Sequence, residues 1–171
     1  MNLAFAARPW GCAHAPRERG FTLIELLITV AILAMLAGGA MTFADLAVKR
    51  THEQELRGAL RQIREAIDAY KLAADTNKVK KTVGESGYPP DLESLYQGVP
   101  DITDPKGEKK LYFLRRLPRD PMADPALPPE QTWGLRSYDS EADNPQPGRD
   151  VFDVHSRSTA LSIGGRPYSE W

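Results

Sequence analysis

The chain has 171 residues, 42% of them hydrophobic, and a formal net charge of −1. That length suits one modest domain with additions. The composition excludes a disordered chain and a polytopic membrane protein, and the near-neutral balance gives no electrostatic case for nucleic acid as a main partner. The single cysteine, Cys12, stands among the first 20 residues, so the rest of the chain has neither a disulfide of its own nor a cysteine-ligated zinc. Charge is uneven along the chain. Arg8, Arg17 and Arg19 against Glu18 give residues 1–20 a net +2 and leave −3 on the remainder.

Residues 26–44 form an uncharged run of 19, LLITVAILAMLAGGAMTFA. As a helix this run is about 28 Å long, close to the hydrocarbon thickness of a bilayer. A buried core helix is the plainer alternative, but so long an apolar run is unusual in a small soluble domain. The arginines before the run keep the N-terminal side cytoplasmic, so everything after Asp45 is exported. Glu25 stands at the edge of the run. Alone it has two readings: a helix-start acid interacting with the macrodipole, or a functional carboxylate held at the membrane.

The wider string decides between them. Gly20-Phe21-Thr22-Leu23-Ile24-Glu25-Leu26-Leu27 resembles the prepilin motif shared by type IV pilins and type II secretion pseudopilins. The resemblance implies cleavage after Gly20 by an inner-membrane prepilin peptidase that also N-methylates the new terminus. Phe21 is then the mature N-terminus and Glu25 the fifth mature residue. It further implies that Glu25 pairs with the α-amine of Phe21 on a neighbouring subunit during assembly. Two charges that are each costly in lipid become tolerable when they meet. This chain departs from the family in two respects. Its leader is long for the pseudopilin branch, and Thr42 stands where a helix-bending proline is common.

Beyond Asp45, Leu56, Leu60, Ile63, Ile67 and Tyr70 recur at alternating spacings of four and three, the stripe of an amphipathic helix. Glu53/Arg57, Arg61/Glu65 and Arg64/Asp68 are expected as i,i+4 ion pairs on its other faces. One helix over about residues 21–74 follows, its first half apolar all round. Residues 75–90 read as a loop in which Lys78, Lys80 and Lys81 are solvated. Residues 91–98 read as a short helix capped by Asp91 and stopped by Gly98. Residues 111–114 are strand-like, and five prolines exclude regular structure from residues 118–130. Residues 132–138, 151–156 and 159–163 are expected as strands of one small antiparallel sheet, followed by a Gly164-Gly165 turn.

The expected fold is therefore α+β: a long N-terminal helix packed on a small antiparallel sheet, as in pilins. The expected divisions are a leader at 1–20, a transmembrane half-helix at 21–44, an amphipathic half-helix at 45–74 and a periplasmic head at 75–171. Within the head, Tyr88-Pro89 followed by Leu92-Glu93-Ser94-Leu95, and Tyr112-Phe113-Leu114-Arg115-Arg116-Leu117-Pro118-Arg119-Asp120-Pro121, resemble segments of the major, G-type pseudopilin. An insert at residues 123–131 departs from that pattern.

That narrower resemblance raises calcium as a cofactor, with Asp139, Glu141, Asp143, Asp150 and Asp153 as candidate ligands. Calcium takes six to eight oxygens, including carbonyls of irregular backbone. The plain reading of the same residues is a solvated acidic loop, and no EF-hand spacing is present. Asp153, His155 and Ser156 have the residue types of a hydrolase triad. On a strand, however, Ser156 faces away from the other two, so no enzyme is read here.

The resemblance implies a structural subunit of a type II secretion pseudopilus, polymerising through its N-terminal helix to support protein export across the outer membrane. Its implied partners are further copies in a homo-oligomeric filament, other pseudopilins, the prepilin peptidase/N-methyltransferase, and an inner-membrane assembly platform with a cytoplasmic ATPase. Before assembly the partner is membrane lipid. The implied location is the inner membrane, single-pass, with the head periplasmic. Two alternatives stand beside this: a minor type IV pilin for adhesion, motility or DNA uptake, and a secreted binding protein or hydrolase released by ordinary signal peptidase near Ala40.

Overall fold

The computed structural model describes residues 20–171, the side chains of residues 39–42 excepted. The expected leader, with Arg8, Cys12, Arg17 and Arg19, lies outside the described residues apart from Gly20. Two compact units divide between Phe43 and Ala44. One α-helix, α1 (Leu23–Asp75), contributes to both.

In the first unit Thr22 starts α1. Its carbonyl accepts from Leu26 N–H at 3.1 Å, and its hydroxyl accepts from Glu25 N–H at 3.3 Å. These bonds satisfy two amide donors that the first turn of a helix leaves unpaired. Every side chain from Phe21 to Gly38 is exposed. The segment is long and apolar enough to cross a membrane. The backbone is helical through Thr42.

In the second unit α1 presents the expected stripe. Leu56, Ala59, Leu60, Ile63, Ala66, Ile67, Tyr70, Ala73 and Ala74 are all buried. The helix ends where Asn77 takes a positive φ of 55°, and Lys78 N–H closes onto Ala73 O at 2.8 Å. A left-handed asparagine there costs less than a bulkier residue and satisfies end carbonyls. Helix α2 (Glu93–Gln97) follows, then strands β1 (Val99–Pro100) and β2 (Lys110–Leu111), which pair antiparallel. Asp91 accepts from Ser94 N–H at 2.8 Å, and Gly98 stops α2 at φ 82°. A Cβ on Gly98 would strike the Tyr112 ring, so both backbone and space require glycine. Helix α3 (Pro129–Thr132) leads into β3 (Trp133–Arg136), which pairs antiparallel with β4 (Asp153–Ser156) in the register Trp133 with Ser156 and Arg136 with Asp153.

Four expectations are corrected. The strands form two separate two-stranded sheets rather than one. Residues 159–163 are not a strand; only Leu161 bridges, to Pro167. The proline-rich segment contains α3, because Pro129 sits at the first helical position, where a missing N–H is harmless. The three expected ion pairs are absent among the described residues, where the one i,i+4 ion pair on α1 is Lys71–Asp75. Two of their members are drawn into tertiary bonds that offset the cost of burying polar groups. Glu53 is only 6% exposed and accepts from Ile163 N–H at 2.6 Å and from the Tyr168 hydroxyl at 3.1 Å. Arg64 donates to Asp153 Oδ1 at 2.7 Å, to Val154 O at 3.0 Å and to Trp171 O at 2.8 Å. Arg57 lies over the Trp171 ring.

Two more carboxylates fasten loops. Asp120 is buried and accepts from Met122 N–H at 2.7 Å and from the Ser156 hydroxyl at 2.6 Å. The buried Trp133 donates its indole N–H to Pro118 O at 2.9 Å. Residues 117–121 are thus held to β3 through a backbone carbonyl and to β4 through the Asp120 carboxylate. Asp150 accepts from the Ser86 hydroxyl, from the Ser137 hydroxyl at 2.7 Å and from Tyr138 N–H at 2.9 Å. Burial pushes its pKa up, but these donors outweigh burial and hold it below the ordinary carboxylate range.

Ile63→Ala should destabilise the head by about 2–5 kcal/mol in denaturant unfolding, while Leu72→Ala, at an exposed site on the same helix, should change it by less than about 0.5 kcal/mol. Asp150→Asn should cost about 1–2 kcal/mol at pH 7 once solvent screening is allowed for. Because the folded pKa is depressed, the contribution of Asp150 is complete above its unfolded pKa and fades as pH falls through the folded one. The gap between wild type and variant should be flat from pH 8 to pH 5 and close below about pH 4.

Candidate functional site

The prepilin-like string occupies the entry to α1. Gly20 and Phe21 precede the helix in irregular backbone and are exposed, Phe21 at 82%. The Gly20–Phe21 peptide bond is therefore outside helical hydrogen bonding and open to an approaching enzyme. Gly20 has no atom within 4 Å of a built Cβ and no left-handed φ. Among the described residues nothing in the fold calls for glycine there.

Glu25 stands in the first turn of α1 and is exposed, with its N–H tied to the Thr22 hydroxyl. Its carboxylate is thus presented where the helix macrodipole is positive, one turn beyond Phe21. Gly20, Phe21 and Glu25 are brought together simply because the helix starts between them.

The acidic residues of the head are dispersed. Asp139 takes Arg149 at 3.0 Å, both side chains exposed. Glu141 and Asp143 are exposed on the same loop. Asp150 is committed to Ser86, Ser137 and Tyr138, and Asp153 to Arg64 and its neighbour's amide, Val154 N–H. Among the described residues no group of three or more acids, histidines or cysteines is placed to hold a metal ion. In this arrangement the five carboxylates do not meet as one set of calcium oxygens.

Ser156 is fully buried and donates to Asp120 rather than facing His155. The His155 ring packs on Gly134, where any Cβ would collide with it. Burial pulls the His155 pKa down, against the opposing pull of Asp153. These contacts have a packing role.

The residues that sequence reasoning missed are Glu53 and Arg64. Glu53 lies three residues before Leu56, on the buried stripe itself, and that position marked it as a buried carboxylate needing partners.

Comparison with known proteins bears on the same segment. A family model described as the prokaryotic N-terminal methylation motif matches residues 15–41. Three similar proteins are each named type II secretion system core protein G. The one from Aeromonas hydrophila is 28% identical over 109 residues, 64% of this chain and 71% of that protein. The one from Pectobacterium carotovorum subsp. carotovorum is 30% identical over 105 residues, 61% of this chain and 62% of that protein. The one from Pseudomonas aeruginosa is 29% identical over 136 residues, 78% of this chain and 90% of that protein. No solved structure matches at a significant level. The chain thus matches the prokaryotic N-terminal methylation motif at the entry to an exposed apolar helix and is similar, over most of its length, to type II secretion system core protein G.

Proposed function

We propose that the chain is made as a prepilin, cut between Gly20 and Phe21, N-methylated at Phe21, and held single-pass in the inner membrane with its head in the periplasm. From there it polymerises through α1, with other copies and other pseudopilins, into a filament that supports protein export across the outer membrane. A prepilin peptidase and an assembly platform driven by a cytoplasmic ATPase act on it. It does no covalent chemistry itself.

The observation that carries this reading is the placement of Gly20, Phe21 and Glu25. The Gly20–Phe21 bond lies in irregular backbone, glycine there answers no need of the fold among the described residues, and a carboxylate follows one turn into an apolar helix. Cleavage creates an ammonium at Phe21. A carboxylate in hydrocarbon is expensive alone and is relieved by such a cation on an adjacent helix. The pair therefore sets the axial offset at which an incoming subunit docks.

Glu25→Ala should leave cleavage and membrane insertion unchanged, and should abolish filaments and secretion when produced in place of the wild type. Glu25→Gln should do the same, because it keeps the shape and removes the charge. Normal filaments from either variant would contradict the assembly role. Twitching or transformation defects with normal secretion would point to a type IV pilus instead.

A further inference from the structure

The buried stripe of α1 does not stop at Glu53. Its continuation toward the N-terminus, Asp45, Val48, Lys49 and His52 at i, i+3, i+4 and i+7, lines an apolar groove of about 350 Å³ with Met122, Ala160, Leu161 and Tyr168. One wall of that groove is the turn at residues 160–167. This turn carries two exposed large apolar side chains, Leu161 at 58% and Ile163 at 41%.

The turn is rigidly placed. Ser162 N–H donates to Arg166 O at 2.8 Å, Gly165 takes a positive φ of 79°, and Ile163 N–H is bound to the buried carboxylate of Glu53. Leu161 and Ile163 are thus held exposed at fixed positions on the turn. Lys49 of the groove, its neighbour Arg50 and Arg166 of the turn are exposed and carry no side-chain bond among the described residues, against the exposed carboxylate of Asp45 and the buried one of Glu53.

Chain order says what lies next to it. Asp45 is the first charged residue after the uncharged run, so on the membrane-anchor reading of the preceding subsection, on which this inference rests, it marks the headgroup level. Glu53 is eight residues further, about 12 Å along a helix. Leu161 lines the groove together with Asp45 and Val48, well on the membrane side of Glu53. Interfacial protein surfaces sink about 5–10 Å into the headgroup and acyl boundary. We propose that the 160–167 turn is a lipid-contact site: in the unassembled subunit Leu161 and Ile163 enter the bilayer interface, with Lys49, Arg50 and Arg166 on anionic headgroups. The partner is a lipid surface, and the contact holds the head against the membrane until the subunit is extracted into a filament.

The test uses the processed chain, which begins at Phe21 and has no cysteine of its own, one copy per nanodisc of phosphatidylethanolamine and phosphatidylglycerol. Spin labels are attached singly to Leu161→Cys, Ile163→Cys, Val83→Cys and Ile32→Cys. Collision with oxygen, which concentrates in lipid, is compared with collision by a water-soluble nickel chelate. Labels at 161 and 163 should show an oxygen-to-nickel ratio several-fold above that at the fully exposed Val83 site, approaching that at Ile32. A ratio equal to that at Val83 would overturn the inference. So would a Val83-like ratio that gives way to exclusion of both reagents only when two copies share a disc, which would assign the turn to a second copy. If the Ile32 label itself collides freely with nickel, the anchor reading fails and the lipid contact fails with it. A lipid signal at Ile32 without one at 161 or 163 removes this inference alone.

Discussion

A helix that is apolar all round, as α1 is over residues 26–44, gains nothing from water on any side, whereas the same helix beyond Glu53 needs water on one face and a core on the other. That change of solvent along a single element organises the protein. Before it, no side chain from Phe21 to Gly38 is buried among the described residues, and on the membrane-anchor reading lipid or other helices supply that burial. After it, the stripe from Leu56 to Ala74 shares one buried core with Leu95 of α2, Trp133 of β3, Val154 of β4 and Tyr168. Folding of the head and insertion or assembly of the apolar segment are separate sources of stability, and they act on different residues.

The head is small and has no cysteine, so its two short sheets cannot fasten themselves. Two-stranded pairs are marginal in water unless packed on something. Here they are packed on α1 and tied by buried or half-buried charges used as hydrogen-bond hubs. Glu53 and Arg64 fasten the C-terminal segment to the helix, Asp120 joins the Leu117–Pro121 segment to β4, and Asp150 joins the loop at Ser86 to that at Ser137. The carboxylate hubs accept from backbone amides or hydroxyls and Arg64 donates to backbone carbonyls, which orients loops that hydrophobic contact alone would leave free to slide. Removing one partner leaves a desolvated group unsatisfied, so these sites are more sensitive to substitution than their polar character suggests.

The legible parts of the sequence were those in which one local rule decides. The uncharged run and the apolar stripe together gave α1 within two residues at its start and one at its end, and the glycine and aspartate around residues 91–98 gave α2. The place of Gly20, Phe21 and Glu25 at the entry to α1 was legible because they are close in sequence and the helix starts between them without help from the fold. The rest depended on distant partners. Glu53 and Arg64 were read as solvent-facing because their ion-pair spacing is a local pattern, whereas the groups that claim them lie about the C-terminal segment. Residues 159–163 alternate like a strand but have no strand beside them to complete a ladder, and their bonds go to a tight turn and to Glu53. The acidic residues of the 139–153 stretch share a composition but face Arg149, Ser86, Ser137 and Arg64 separately, which no spacing rule discloses.

The central claim is that the chain is processed at the mouth of its apolar helix and keeps that helix. The most direct test is the intact mass and N-terminal sequence of the mature protein isolated from its native membrane. The account predicts a chain beginning at Phe21 with one added methyl group on the terminal nitrogen. A chain beginning near Met41, with the apolar segment gone, would contradict it and leave a released head with nothing from which to build a filament.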